Sequence, residues 1–345
     1  MMTGMAASAA RQAAVSRFLA AHGLAAAQRY PLGSDASFRR YERLTAPDNA
    51  RLVLMDAPPP HENVRPFVRI ARHLDGLGLS VPKVMAMDAE AGLLLLGDLG
   101  DDTYTRLLAA GADERTLYQQ AVNVLIALHR HPRAIPPDTP AYSTAQLVAD
   151  VTLLPEWYLP AVTGAAVTEG VRATYEAAWR NVFDFAVPET LILRDFHVDN
   201  LMGLSGHQGV QACGLLDFQD AMVGPVPYDL MSLLEDARRD IDPTLAADLT
   251  RCYLAAFPDL DPAAFATAWA VLAAQRHARV IGVFTRLCWR DGKPAYLQHI
   301  PRVWRLLERA CRHPALAAVA AWFERHVPSP LRRVPPCPAA GGTRP

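Results

Sequence analysis

The pattern of hydrophobic and polar positions changes near residue 97. Before it, short apolar runs bounded by Gly, Pro and Asp predict strands at 51–55 and 92–96, and two more flank a Gly/Ser turn at 33–37. Residues 61–77 place apolar side chains at helical spacing and predict one helix among these strands. After residue 97, helical spacing dominates. We therefore predict an α+β fold with a small β-rich N-terminal lobe and a larger helical C-terminal lobe.

The same pattern sets the predicted domain limits. A first helix at about 5–22 carries Val15, Phe18 and Leu19 on one face. A C-terminal tail is rich in Pro and Gly, a composition typical of disorder. The predicted parts are an N-terminal helical extension (1–24), an N-lobe (25–97), a helical C-lobe (98–327) and a disordered tail (328–345).

One clear strand pair is predicted in the helical half. Strands at 200–204 and 210–217 are separated by a Gly/Ser-containing turn at 205–209. The open end of such a hairpin brings Asn200 and Asp217 side by side. Asp195 lies five positions before Asn200.

Composition narrows the class of protein. The 345 residues are 51% hydrophobic and 20% charged, with a formal net charge of −1, so a packed core is expected and a nucleic-acid partner is not. No apolar run reaches the roughly 20 residues of a membrane helix, so no membrane partner is expected. The five scattered cysteines form no Cys-x-x-Cys, which argues against a disulfide framework and favours a cytoplasmic location.

The Asp195, Asn200 and Asp217 spacing points to phosphoryl transfer. In this interpretation Asp195 is the base that accepts the proton of an attacking hydroxyl, and Asn200 and Asp217 are hard oxygen ligands for Mg²⁺ on the phosphates of ATP. The alternatives are a capping or loop aspartate at 195 and a turn asparagine at 200. Asp217 ends an apolar strand, where a carboxylate is costly unless it is paired or coordinated. Asp220 either contacts a second metal ion or caps a turn.

Longer segments resemble a known family. Arg194-Asp195 with Asn200, then Asp217-Phe-Gln-Asp, Gly224-Pro and Asp229-Leu, are similar to the aminoglycoside phosphotransferase and choline kinase superfamily. That resemblance implies a bilobal, protein-kinase-like fold. Further motifs resemble the bacterial N-acetylmuramate and N-acetylglucosamine anomeric kinases of cell-wall recycling, and imply an amino-sugar substrate and ATP; they begin at Asp35, Met55, Arg65, Gly97, Glu156 and Gly282.

The chain departs from the family pattern in its phosphate contacts. The strand at 52–56 carries no lysine, and Arg39, Arg40 or Arg43 are the candidates to replace its charge. The G-x-G-x-x-G loop is also absent, so Gly33, Ser34, Asp35, Ala36 and Ser37 are the predicted phosphate loop. Leu96, Gly97, Asp98 and Leu99 form the predicted connector whose backbone meets adenine.

The remaining candidate residues concern the second substrate. A basic segment at 276–293 suits an anionic acceptor such as the lactyl carboxylate of N-acetylmuramate, with Arg276 and Arg286 as candidate ligands and Arg194 beside them. Glu156 and Trp157 are candidates for the sugar wall, and Asp229 is expected to support the loop from a helix N-terminus. The alternative functions are a kinase of another small hydroxyl compound, such as an aminoglycoside or amino alcohol, and a nucleotide-binding pseudokinase with a regulatory role.

Overall fold

The chain folds into two separately packed units. The sheet unit comprises the described residues of Met1–Ala127, His131–Pro136 and Val198–Ala221. The helical unit comprises those of Leu128–Arg130, Pro137–His197 and Met222–Pro345. The structure is a computed structural model that describes the backbone of residues 2–33 and 38–337, with side chains from Ala9 onward.

An antiparallel sheet forms the centre of the sheet unit. Its strands are β1 (Gln28–Pro31), β2 (Arg40–Thr45), β3 (Arg51–Asp56), β4 (Val84–Asp88) and β5 (Leu93–Gly97). Their order is β1-β2-β3-β5-β4, which places β5 inside the sheet. This position explains the uninterrupted apolar run at 93–96, because all of its side chains are buried.

Helices of the sheet unit follow the predicted spacing. They are α1 (Met2–Ala21), α2 (Val64–Gly76), α3 (Tyr104–Ala109) and α4 (Glu114–Arg130, whose last three residues belong to the helical unit). The prediction for α1 is confirmed, since Val15, Phe18 and Leu19 pack in one core with residues of β2, β3 and β5. Asp113 caps α4, because its carboxylate accepts the Thr116 N–H at 2.8 Å.

Short strand pairs lie in both units. In the helical unit, β6 (Glu189–Ile192) pairs with β9 (Met222–Pro225), and in the sheet unit β7 (Leu201–Gly203) pairs with β8 (Cys213–Leu215). The predicted hairpin is confirmed, but it is shorter, because residues 209–212 form a 3₁₀ turn. The expectation that this hairpin is the one clear strand pair after residue 97 is wrong. The sequence pattern did not predict β6 and β9, because β9 ends in Gly-Pro, which is typical of a turn.

Helices fill most of the helical unit, as predicted. They are α5 (Thr144–Val151), a π-helical turn (Leu154–Tyr158), α6 (Leu159–Thr163), α7 (Glu169–Arg180), α8 (Tyr228–Leu234), α9 (Pro243–Ala255), α10 (Pro262–Asp291), α11 (Ile300–Ala310) and α12 (Ala317–His326), with 3₁₀ turns at Pro294–His299, Pro314–Leu316 and Ser329–Leu331. The long α10 is central to the core of this unit. It carries Gly282 where a Cβ would clash with the backbone of Leu153, so glycine permits the π-helical turn to approach α10 closely.

The segment 328–337 differs from the disordered tail that its composition predicted. The Tyr158 hydroxyl contacts the backbone oxygens of Leu331 and Arg333 at 2.6 and 2.7 Å. Arg332 lies between Glu308 and Glu324, with contacts of 2.8 and 2.6 Å. Composition did not reveal these anchors because they are long-range contacts. Residues 338–345 of the predicted tail lie outside the described residues.

Within the described ranges 2–33 and 38–337, none of the helices has both the length and the hydropathy that a membrane span requires.

Candidate active site

A strained backbone turn in the helical unit holds Asp195. The turn follows β6, and Arg194 adopts a left-handed conformation with φ of 70°. Asp229, in the first turn of α8, accepts the N–H groups of Leu193 at 2.6 Å and Arg194 at 3.0 Å. Arg276 of α10 donates to the Arg194 carbonyl at 2.9 Å. Anchors on both sides of the strained residue therefore fix the position of Asp195.

The carboxylate of Asp195 faces a group of positive charges. Arg276 Nη2 lies 3.7 Å from Asp195 Oδ1, and the Asp195 side chain remains 30% exposed. Burial alone would raise the pKa of Asp195, but the positive charges of Arg276, Arg279 and Arg194 outweigh it and lower the pKa to about 2. Asp195 is therefore ionised, and able to accept a proton, throughout the physiological range.

Asp150 of α5 is the carboxylate that balances these arginines. It accepts from Arg194 Nη2 at 3.1 Å and from the Tyr142 hydroxyl at 2.7 Å, and Arg279 Nε lies 3.6 Å away. The carboxylate side chain is only 11% exposed, so the pairing is largely shielded from water. The sequence analysis did not identify Asp150 as a residue of this region. The available signal was a charged residue within the apolar stripe of α5.

Asp229 and His197 are both buried in this region. Burial raises the pKa of Asp229 to about 7, although the two backbone N–H groups that it accepts oppose that rise. Burial also lowers the pKa of His197, against the opposing charge of Asp236. His197 is therefore neutral at physiological pH.

A cavity in the sheet unit brings together the other predicted site residues. Its volume is about 390 Å³. The lining includes Gly33, the connector Leu96–Leu99, Asn200 and Asp217. Apolar walls come from the sheet, α2 and the hairpin, through Val53, Phe67, Met202 and Leu216 among others. An apolar slot edged by connector backbone suits a flat heteroaromatic ring such as adenine.

Arginines hold the connector in place. Arg43 Nε and Arg51 Nε lie 2.7 and 3.1 Å from Asp98 Oδ2, and the Asp98 side chain is only 4% exposed. Asp98 also accepts the Gly100 N–H at 2.9 Å, which tightens the turn. The predicted contribution of Asp98 to nucleotide binding is thus restricted to its backbone, because its carboxylate is engaged by arginines. Arg43, a candidate for the missing lysine, is committed to Asp98 and Asp101.

Asn200 and Asp217 occupy adjacent positions at the open end of the β7–β8 hairpin. The Leu216 N–H donates to the Asn200 carbonyl at 2.9 Å, and Asn200 and Asp217 both line the cavity. Asp217 has a left-handed backbone with φ of 55°, and Arg39 Nη2 lies 3.4 Å from its Oδ1. An amide oxygen and a carboxylate at the edge of this cavity suit a hard divalent cation, which takes oxygen ligands.

The other predicted residues are placed as follows. Glu156 and Trp157 lie on the π-helical turn, where Glu156 pairs with Arg172 at 2.7 Å. Asp220 is exposed beside Gln219, 3.5 Å from its Nε2. Burial and the like charges of Arg290 and Arg279 lower the pKa of Arg286, whose buried Nε has no hydrogen-bond partner among the described residues. The loop residues Ser34–Ser37 lie outside the described residues.

Comparison with known proteins identifies the class. Residues 29–266 match the profile of the phosphotransferase enzyme family, and the chain belongs to that family. It is therefore an enzyme that transfers a phosphoryl group to a hydroxyl, a reaction that in kinases uses a nucleotide and a divalent cation.

Curated relatives are similar over most of their length. A protein of Caulobacter vibrioides named N-acetylmuramate/N-acetylglucosamine kinase is 37% identical, over 94% of this chain and 98% of its own. A Pseudomonas aeruginosa protein of the same name is 42% identical, over 84% of this chain and 86% of its own.

Solved structures share the fold. A Ralstonia eutropha protein assigned to the aminoglycoside phosphotransferases superposes with a TM-score of 0.60 at 14% identity, covering 90% of this chain and 98% of that one. An ethanolamine kinase of Plasmodium vivax gives 0.52 at 10% identity, covering 85% and 84%. The predicted α+β, kinase-like fold is confirmed.

Proposed function

We propose that the protein phosphorylates the anomeric hydroxyl of N-acetylmuramate, N-acetylglucosamine or both, with ATP as donor, in the recycling of peptidoglycan. The observation that carries this proposal is the identity of 37% to the Caulobacter kinase over 98% of that protein. Such coverage leaves no large region of that enzyme without a counterpart in this chain. Since ATP is a cytoplasmic metabolite, the proposed location is the cytoplasm. The predicted domain limits 1–24, 25–97 and 98–327 are retained as part of this proposal.

Asp195 acts as the base in the proposed mechanism. Its carboxylate accepts the proton of the anomeric hydroxyl while the sugar oxygen attacks the terminal phosphorus of ATP and ADP leaves. A pKa of about 2 makes Asp195 a weak base, so its main contribution is to orient the hydroxyl. This suits a loose phosphoryl-transfer transition state, in which the nucleophile needs little activation.

Asn200 and Asp217 are the proposed ligands of Mg²⁺, which neutralises charge on the nucleotide phosphates when bound. The connector backbone at 96–99 is proposed to bind adenine, and residues 33–37 to bind phosphate. Arg39 is proposed to take the place of the missing strand lysine. Its guanidinium already lies 3.4 Å from Asp217, whereas that of Arg43 is committed to Asp98.

Arg286 is the proposed ligand for the lactyl carboxylate of N-acetylmuramate. It lies on α10, three turns beyond Arg276, and like charges from Arg279 and Arg290 surround it. A carboxylate would relieve this repulsion and could accept two hydrogen bonds from one guanidinium. A pocket for a polycationic antibiotic would instead need acidic residues, which argues against an aminoglycoside acceptor.

Replacement of Arg286 separates the two sugars. We expect Arg286→Ala to raise the KM for N-acetylmuramate about tenfold or more and to leave the KM for uncharged N-acetylglucosamine and for ATP unchanged. Arg290→Ala is the matched control, because Arg290 is exposed and already paired with Asp291 at 2.7 Å. Equal KM changes for both sugars would remove Arg286 from this role.

The function itself is tested by ADP release with a panel of acceptors. The panel contains both N-acetylated amino sugars, an aminoglycoside, choline and a blank without acceptor. We expect ADP release only with the amino sugars. Release with the antibiotic or choline alone would favour the alternative kinase, and tight ATP binding without release on any acceptor would favour a pseudokinase.

A further inference from the structure

Two cysteines of the helical unit lie next to each other outside the proposed site. Cys288 is in the last turns of α10, and Cys337 is at the end of the described C-terminal segment, 49 positions later. Their Sγ atoms are 2.9 Å apart, although both residues are free thiols in the structure. This separation exceeds the roughly 2.05 Å of a disulfide bond but is shorter than an ordinary contact between two sulfur atoms.

Anchors along the segment 328–337 bring Cys337 to this position. Tyr158 holds the backbone of Leu331 and Arg333, with the Arg333 N–H donating to its hydroxyl at 2.9 Å. Trp289, the residue after Cys288, donates its indole N–H to the Pro336 carbonyl at 3.2 Å. Contacts of neighbouring residues therefore hold both segment 328–337 and the end of α10 in place. The proximity of the two thiols does not depend on a single contact.

The two thiols differ in accessibility. Cys337 is exposed, whereas Cys288 is buried. A reagent in solution reaches Cys337 first, and Cys288 is then the nearest thiol to react with the oxidised sulfur. An exposed cysteine beside a second, resolving cysteine is the arrangement of a thiol pair that oxidises reversibly.

We propose that Cys288 and Cys337 are a modification site, at which a thiol oxidant such as hydrogen peroxide forms an intramolecular disulfide. Peroxide first converts the Cys337 thiol to a sulfenic acid and releases one water. The Cys288 sulfur then attacks the sulfenic sulfur, the S–S bond forms, and a second water leaves with the hydroxyl oxygen and the Cys288 proton. The two thiols lose two hydrogens and two electrons, and peroxide is reduced to two waters.

The disulfide fastens segment 328–337 to α10. It closes a loop of 49 positions in the unfolded chain, so the oxidised protein is the more stable form. Cys288 is also two residues from Arg286, and the cross-link immobilises this end of α10. The sequence pattern did not predict the contact between Cys288 and Cys337, because the two residues are far apart in sequence and are brought together only by the fold.

Peptide mapping tests the site directly. The full-length protein is reduced, freed of reductant, treated with hydrogen peroxide and digested with trypsin without reduction. We expect an intact-mass loss of about 2 Da and a disulfide-linked pair of peptides, Leu287–Arg290 with Val334–Pro345. Persistence of both free thiols under peroxide, or a link from Cys288 to another cysteine, would overturn the proposal.

Variants provide the controls. Cys337→Ser removes an exposed side chain, so it is expected to fold and to lose both the linked peptides and the mass loss. Cys252→Ser is the matched control, since Cys252 is another cysteine of the same unit, and it should retain the link. Oxidation should raise the Tm of the wild type and of Cys252→Ser by about 5 °C or more, and leave Cys337→Ser unchanged. An equal rise in Cys337→Ser would contradict the proposal, and none of these readouts depends on sugar kinase activity.

Discussion

Two aspartates, Asp195 in the helical unit and Asp217 in the sheet unit, have similar local geometry and different surroundings. Each is associated with a left-handed residue, Arg194 with φ of 70° or Asp217 itself with φ of 55°. Each is about one-third exposed, at 30% and 34%, and each faces an arginine, at 3.7 and 3.4 Å. Asp195 faces several buried or half-buried arginines, whereas Asp217 lines an open cavity together with Asn200.

The difference indicates different tasks. Fixed cationic neighbours keep Asp195 ionised and oriented, which is what a proton acceptor requires. Asp217 shares its cavity with an amide oxygen and leaves room for water, which is what a cation ligand requires. In the proposed mechanism, the same residue type therefore serves as base or as metal ligand according to its neighbours.

Replacement of the base is expected to have the largest effect. Asp195→Asn keeps the shape but cannot accept the proton, so turnover should fall about a thousandfold. Affinity for ATP with Mg²⁺ should stay within about twofold of the wild type, because Asp195 is not one of the proposed ligands. Steady-state kinetics and calorimetry measure the two quantities. Asp184→Asn, at an exposed position of the same unit, is the control. Wild-type turnover in Asp195→Asn would refute the assignment of the base.

Replacement of the proposed metal ligand Asp217 should weaken ATP binding as well as turnover. Asp217→Asn should lower turnover about a hundredfold, since a metal ion contributes several kcal/mol of charge stabilisation. It should also raise the Mg²⁺ concentration needed for half-maximal rate and weaken binding of ATP. A titration of rate against Mg²⁺ checks this, with the exposed Asp184→Asn again as control. An unchanged Mg²⁺ requirement in Asp217→Asn would separate Asp217 from the cation.

Removal of the Asp150 carboxylate should change the stability of the protein more than it changes the pKa of Asp195. Asp150→Asn leaves Arg194 and Arg279 without their shared charge, which should cost about 2 kcal/mol of unfolding free energy. The pKa of Asp195 should not rise, because the positive charges that lower it remain. Urea unfolding measures the loss, and Glu176→Gln, in an exposed pair with Arg180, should cost under about 0.5 kcal/mol. Equal losses in the two variants would show that Asp150 is only a surface partner.

The pH dependence of stability should reveal Asp229. Its pKa is about 7 in the folded protein, above the usual value for an unfolded aspartate. The folded state therefore binds more protons between about pH 4 and 7, and this contribution to stability is lost as the pH rises through 7. The slope of the unfolding free energy against pH should differ between wild type and Asp229→Asn by up to about 1.4 kcal/mol per pH unit in that range. Parallel stability curves would contradict a raised pKa at Asp229.

Prediction from sequence succeeded where the signal was local and periodic. The apolar face of α1 and the hairpin that joins Asn200 to Asp217 both follow from spacing within short segments. It failed where the signal was a distant partner. Asp150 lies 44 positions from its partner Arg194, and Cys288 lies 49 positions from Cys337. Hydrophobic periodicity reflects only nearby positions, so it could not predict either contact. The β6–β9 pair was missed because its strands are short and one contains Gly-Pro.

The most direct test of the central claim is the position of the phosphate in the product. Phosphorus-31 NMR of the product formed from N-acetylmuramate and ATP reports which sugar proton couples to phosphorus. The proposed reaction gives a sugar 1-phosphate, so we expect coupling to the anomeric proton. Coupling to a proton at any other carbon, or inorganic phosphate as the only new resonance besides ADP, would contradict it.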